Sequence, residues 1–234
     1  QKKVEENNFG IRKRLLEYDD VMNNQRNAIY KKRNHALFGE RLALDIDEAF
    51  AVVSEDVAVS YKSDSDFEGF KLASIVNFGM DSSINKDEFG KTDINTLATK
   101  LYNESSANYE LHKQEIQANA VPVFQNIKNT QGPHIVNVIV PFTDGKKVIN
   151  TLAPLDKTIE SNGASLTVNM EKTISLSVID DAWREHLRSM DDLKQSVQTA
   201  YLENKDPLVI YKIESSHLFN NMKAGLNKEI VSFL

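Results

Sequence analysis

A few residue patterns in this 234-residue chain could carry chemistry. Gly90-Lys91-Thr92 has the tail of a phosphate-binding loop. Such a loop needs a further glycine five residues before Gly90, because backbone amides there cradle the phosphates. That position is Asn85, and Asp87 and Glu88 would repel an anion. Gly145-Lys146 fails the same test and reads as a turn. Glu214 and His217 spell Glu-x-x-His, half of a carboxylate di-iron signature, which needs a second copy and two more glutamates on facing helices. The second copy is missing. Acidic pairs recur at Asp19-Asp20, Asp180-Asp181 and Asp191-Asp192. Adjacent helical residues point about 100° apart, so no single pair converges on a magnesium ion. These carboxylates are expected to be solvated or to pair with Arg12, Arg184 or Arg188 on neighbouring helices. The chain itself is therefore expected to hold no catalytic, cofactor-binding or metal-ligating residue.

Trp183, the single tryptophan, and His186 fall on one apolar stripe and read as core. No serine or cysteine nucleophile can be placed beside His186. Tyr201 and Leu202 are different, because they put large apolar groups where a plain connector would be polar. Closing the end of a helical hairpin would explain them, and so would contact with a partner.

The elements that would position these residues begin with one long helix, from Gln1 to about Leu37. No proline interrupts it, and Gly10 costs only about 1 kcal/mol relative to alanine. Val4, Asn8, Ile11, Leu15, Tyr18, Met22, Gln25 and Ile29 step by three and four along one stripe. Phe9 and Leu16 lie off it and predict a second buried edge. At 1.5 Å per residue the helix would run roughly 55 Å, a rod on which other pieces pack. Further helices are predicted from Ile46 through Tyr61, from Phe67 to near Gly79, and from Asp93, an N-cap, to about Thr130, with Pro122 interrupting or kinking the last. Residues 81–92 read as turns. After Gln131-Gly132-Pro133 the period alternates: Ile135–Val140 and Val148–Leu152 flank Asp144-Gly145, which predicts a tight two-stranded β-hairpin lying on neighbouring helices. A helix from about Ala164 to Tyr201 carries Ile179, Trp183, His186, Met190, Leu193 and Val197. Asp206 then caps and Pro207 opens a second helix bearing Tyr211, Leu218, Met222, Leu226, Ile230 and Phe233. So short a link makes the two pack antiparallel, as a hairpin roughly 35–40 Å long.

The composition is 41% hydrophobic and 26% charged, a globular balance, and the net charge of −6 argues against general nucleic-acid binding. Basic clusters at Arg12-Lys13-Arg14 and Lys31-Lys32-Arg33 would be solvated helix face or contacts to anionic lipid or an acidic neighbour. There is no cysteine, so disulfides and thiolate metal sites are excluded. No apolar run approaches the roughly 20 residues of a membrane-spanning helix. Helical periodicity is already under way at Gln1, so the chain is expected to be an excised piece of a larger protein.

Two strings resemble the SecA family of preprotein translocase ATPases. Val4-Glu5-Glu6-Asn7-Asn8-Phe9, Ile11-Arg12-Lys13, Leu15 through Asn23 and Gln25-Arg26 resemble the start of the family's helical scaffold domain. Asp181 through Leu187, Met190 through Leu193, Lys205-Asp206-Pro207 and Tyr211-Lys212 resemble the arms of its two-helix finger. The resemblance implies a mainly α fold: a long scaffold helix at 1–38, an inserted helical wing domain at 39–171 carrying a β-hairpin near 135–152, and the finger at 172–234. The wing assignment rests on position alone, and a β-hairpin departs from the mostly helical wing of the family. Leu15, Tyr18, Met22, Trp183, Met190 and Leu193 would hold the scaffold together, and Tyr201 and Leu202 at the finger loop would touch channel or substrate. In the family a tyrosine occupies the finger tip; here Leu202 aligns with it, Tyr201 precedes it, and the usual arginine-glycine pair is replaced by Ala200 and Tyr201.

The resemblance further implies a function. This piece would couple ATP-driven motion of nucleotide-binding domains outside it to preprotein movement through the SecYEG channel, and would restrain ATPase activity. ATP and magnesium would belong to the parent. Its partners would be the parent's nucleotide-binding and preprotein-binding domains, SecYEG and unfolded preprotein, in the bacterial cytoplasm and at the inner-membrane surface. No nucleic acid is expected, and an isolated piece would self-associate through uncovered rod surface. The competing readings are a stand-alone helical adaptor that binds partners through its rod and, third, a carboxylate-bridged metal protein.

Overall fold

The computed structural model describes residues 2–131, 134–197 and 206–234. Among them are eight helices and one two-stranded sheet, the mainly α class that the periodicity implies. The order is α1 (Lys2–Phe38), α2 (Leu42–Ser63), α3 (Phe67–Phe78), α4 (Lys86–Lys91), α5 (Ile94–Gln131), β1 (Asn137–Thr143), β2 (Val148–Pro154), α6 (Leu155–Glu160), α7 (Ala164–Ser196) and α8 (Pro207–Phe233). The chain divides into two compact units. Unit 1 takes Gln1–Asn34 and Ile179–Leu226, and unit 2 takes His35–Val178 and Asn227–Leu234.

Unit 2 is built around α2 and α5. Leu42, Ile46, Ala49, Phe50, Val53 and Val57 are buried on α2 at helical spacing. They meet Leu97, Leu101 and Tyr109, which are buried on α5. Phe50 stacks on Tyr109 and Phe78, with ring centroids 5.2 and 6.1 Å away. Helix α3 starts where Asp66 accepts from the Gly69 amide and stops at Gly79, whose φ of 64° suits glycine. The stretch expected to be all turn holds the six-residue α4, because Asn85 caps it by accepting from the Glu88 amide.

Pro122 does not interrupt α5. A mid-helix proline costs about 3 kcal/mol, and packing around it offsets that. Phe124, two residues on, is buried with Ala153, Leu155 and Leu166, and Ile116, Ala120 and Ile127 pack onto the same cluster.

The same cluster seats the hairpin. Val138, Val140 and Phe142 alternate inward from β1, and Ile149, Thr151 and Ala153 are buried from β2. The strands pair antiparallel from Asn137↔Pro154 to Thr143↔Val148. The connection is longer than a tight two-residue turn: residues 144–147 form it. Asp144 Oδ1 accepts from the amides of Lys146 and Lys147, both at 2.9 Å, and Gly145 takes φ 83°. Those amides hold the Asp144 carboxyl below the usual range, the Lys147 bond first. The sequence also gave no sign of α6. It forms where β2 ends, and Thr158 donates back to the Pro154 carbonyl at 2.7 Å.

Glu171 anchors the start of α7 to α5. Its Oε1 accepts from Tyr109 Oη at 2.8 Å and lies 3.1 Å from Lys113 Nζ. Burial, with Glu171 alongside, pushes the Tyr109 phenol far above its ordinary value. Burial alone would lower Lys113, but Glu110 and Glu171 together outweigh it and hold the ammonium above its ordinary value.

Candidate functional site

Unit 1 brings three helix segments together along one stripe of α1. Arg33 grips Asp180 on α7 with two bonds, Nε to Oδ1 at 2.8 Å and Nη2 to Oδ2 at 3.2 Å. About two turns earlier on α1 Gln25 meets His186, and about three to four turns earlier Tyr18, Val21 and Met22 pack on Met190, Leu193 and Val197. Residue numbers fall on α1 as they rise on α7, so the two segments run antiparallel. Helix α8 follows the opposite rule. Tyr18 meets Tyr211, with ring centroids 4.7 Å apart, and Gln25 meets Ser215. Segments α1 and α8 therefore run parallel. On α7 and α8, Val197 packs beside Tyr211 while His186 lies near Phe219, so the finger arms are antiparallel.

The centre of this arrangement is polar. Gln25, His186 and Ser215 are all buried. Gln25 Nε2 donates to the Ser215 carbonyl at 3.1 Å. A carbonyl can only accept, so the amide nitrogen must face it and Oε1 must face His186. The Oε1 to His186 Nε2 distance is 2.9 Å. The imidazole therefore donates from Nε2. Trp183 and Phe219 flank the ring, with centroids 5.4 and 5.6 Å away. Burial holds His186 below its ordinary value.

That shift fixes a pH dependence. The folded pKa is lowered, so below about 6.5 the unfolded chain takes up the proton more readily than the folded one. The stability that His186 contributes is complete above that value and is lost as the pH falls through the depressed folded pKa. The urea midpoint of unit 1 is expected to drop between pH 7.5 and 5.5, and His186→Phe should flatten that slope. An equal slope in the variant would assign it to other groups.

The predicted site residues fall as follows. Tyr201 and Leu202 lie outside the described residues. Met190 is buried, Tyr18, Met22 and Leu193 are half-buried in the same cluster, and Trp183 is half-buried beside His186. Leu15 is 53% exposed and lies outside the cluster that takes in Tyr18, Val21 and Met22. The second buried edge expected at Phe9 and Leu16 is absent: they are 66% and 62% exposed. At 3.6 residues per turn both lie roughly 160–180° around α1 from Gln25, the side that α7 and α8 leave open.

Asp19, Asp20, Asp191 and Asp192 are exposed, as the solvated reading expects, and the pair at Asp180-Asp181 is matched by arginines. Asp180 takes Arg33, which the sequence reading had not proposed, and Asp181 takes Arg184 one turn along its own helix. Arg188 pairs with Glu185, and Arg12 donates to the Asn8 carbonyl. Residues 90 and 91 close α4, where the Phe89 and Gly90 carbonyls accept from Lys62. Glu214 and His217 are exposed, while Ser215 between them points inward. Among the described residues no group of three potential ligands could hold a metal ion, and no helix is long and apolar enough to cross a membrane.

Sequence reasoning placed Gln25 on the apolar stripe but assigned it no role. An amide between Met22 and Ile29 on that stripe hints at a polar core position, as in a coiled coil, but names no partner, and Asn8 on the same stripe carries the same hint.

Comparison with known proteins adds an independent finding. The family model described as "SecA Wing and Scaffold domain" matches residues 1–234. Proteins named protein translocase subunit SecA from Flavobacterium psychrophilum and Cytophaga hutchinsonii are each 47% identical to it, and that of Christiangramia forsetii is 46% identical. Each alignment covers all of this chain and 21% of the relative, so the chain spans about a fifth of their length.

Proposed function

Because the chain belongs to the SecA wing and scaffold family, we propose that it is the force-transmitting segment of a protein translocase. Unit 1 serves as scaffold and finger, and unit 2 as wing. The parent's nucleotide-binding domains use ATP and magnesium, and this segment carries their displacement to preprotein in the SecYEG channel. The same segment restrains ATPase activity when no preprotein is engaged. It works in the bacterial cytoplasm and at the inner-membrane surface, beside the parent's preprotein-binding domain.

The observation that carries this reading is the three-helix stripe of unit 1. Transmission needs elements that move together, and packed helices shift as rigid bodies. Residues 18–33 of α1 are tied to α7 by Arg33–Asp180, by Gln25–His186 and by the cluster at Met190, and to α8 by Tyr211 and Ser215. A tip with tyrosine and leucine suits substrates of any sequence, because hydrophobic contact is non-directional. Phe9, Leu15 and Leu16 leave apolar rod surface for the parent's other domains.

A photoreactive amino acid at position 201 or 202 of the full-length protein tests the tip role. With a preprotein arrested part-way, cross-links should form to the preprotein or to the channel, and should require ATP. Cross-links only to the protein's own domains would refute the reading.

A further inference from the structure

We infer that Gln25 is a positioning residue: its buried amide fixes the register in which both finger arms lie on α1. The inference about register stands on unit 1 alone; its consequence for transport rests on the proposed function.

Apart from the Tyr18 and Tyr211 hydroxyls, the side chains packed around Gln25 and its two partners are apolar. Tyr18, Val21 and Met22 on α1 pack with Met190 and Leu193 on α7, Val197 just past its end, and Tyr211 and Leu218 on α8. Apolar contact is non-directional, so sliding one helix by a turn would replace one apolar pairing with another. The polar contacts do not permit this. Gln25 Nε2 reaches the Ser215 carbonyl at 3.1 Å and Oε1 lies 2.9 Å from His186 Nε2. A one-turn slip moves these partners about 5 Å and leaves a buried donor and acceptor unpaired on Gln25 and a donor on His186. Each unpaired group disfavours the slipped register about ten-fold or more. One amide thereby sets α7 and α8 at once.

The two ion pairs across the stripe cannot do this. Arg33–Asp180 has side chains 38% and 43% exposed, and Lys212–Glu17 has 48% and 33%. Exposed pairs shift an equilibrium only a few-fold, and their long side chains can follow a sliding helix. The register role also differs from a stability role. Replacing both partners of a buried polar contact by apolar groups of similar volume is often neutral or stabilising, while specificity is lost.

The test uses spin-label distances in the full-length protein. Labels go at Asn24 and Asp192 for α1 to α7, and at Asn24 and Ser216 for α1 to α8, all exposed positions. This chain has no cysteine of its own to interfere. Gln25→Met combined with His186→Phe, which removes both side-chain partners, should keep its thermal midpoint within a few degrees of the control Met22→Leu. It should add a second distance population displaced by about 5 Å, one helical turn. The control should keep a single population. If the double variant unfolds, Gln25→Met alone decides by the same reading. A single, unshifted population in the folded variant overturns the register role, whatever transport does. A second population with unchanged ATP-driven transport leaves that role standing and overturns the force-transmission reading.

Discussion

Changing Tyr201 and Leu202 together to glycine in the full-length protein is expected to lower preprotein transport at least about ten-fold while leaving ATP binding unchanged. The magnitude follows from area. Burying one large apolar side chain against a partner is worth about 1.5–3 kcal/mol, and about 1.4 kcal/mol is a factor of ten. The selectivity follows from the proposed function, in which the nucleotide-binding domains lie outside this chain. Glycine also loosens the connector, so a Tyr201→Ser, Leu202→Ser pair separates lost contact from added flexibility. Equal losses in both pairs assign the effect to contact, and transport at the normal rate in both removes the tip from the mechanism.

Tyr211→Ala is expected to cost unit 1 about 3–5 kcal/mol, the range for truncating a buried aromatic ring. Tyr211 is 2% exposed and touches both other segments, through Tyr18 on α1 and Met190 and Val197 on α7. Burial pushes its phenol above the ordinary value, with Tyr18, Asp19 and Asp191 adding to the shift. The cavity left behind cannot be filled by the neighbouring methionines without moving helices. Urea denaturation followed by the fluorescence of Trp183, the only tryptophan, reads unit 1 directly. A loss below about 1 kcal/mol would mean that the Tyr18–Tyr211 contact is peripheral.

Elements with a long, regular period were legible in the sequence. Helices α1, α5, α7 and α8 follow from spacing and caps, and the hairpin from β-branched alternation around Asp144-Gly145. What was missed depends on tertiary context. The short α4 and α6 are each one or two turns, too brief to show a period, and form because Asn85 and Thr158 find local backbone partners. Periodicity says which residues share a face, not whether anything covers it. That is why Leu15, on the right stripe, is exposed, and why Phe9 and Leu16 lack a partner surface among the described residues. Arg184 was named among the partners and takes Asp181, but on its own helix, and Arg33 was missed because it reaches Asp180 from 147 residues away. The buried Gln25–His186 contact spans 161 residues, and nothing local to either residue announces it.

Native-state hydrogen exchange on the full-length protein tests most directly whether the three segments act as one body. Amides in residues 18–33, 180–196 and 208–226 are expected to open with a common free energy, and Tyr211→Ala should lower protection in all three together. Residues 18–33 keeping their protection while the other two lose theirs would contradict the claim, because α1 would then stand independently of the finger it is supposed to drive.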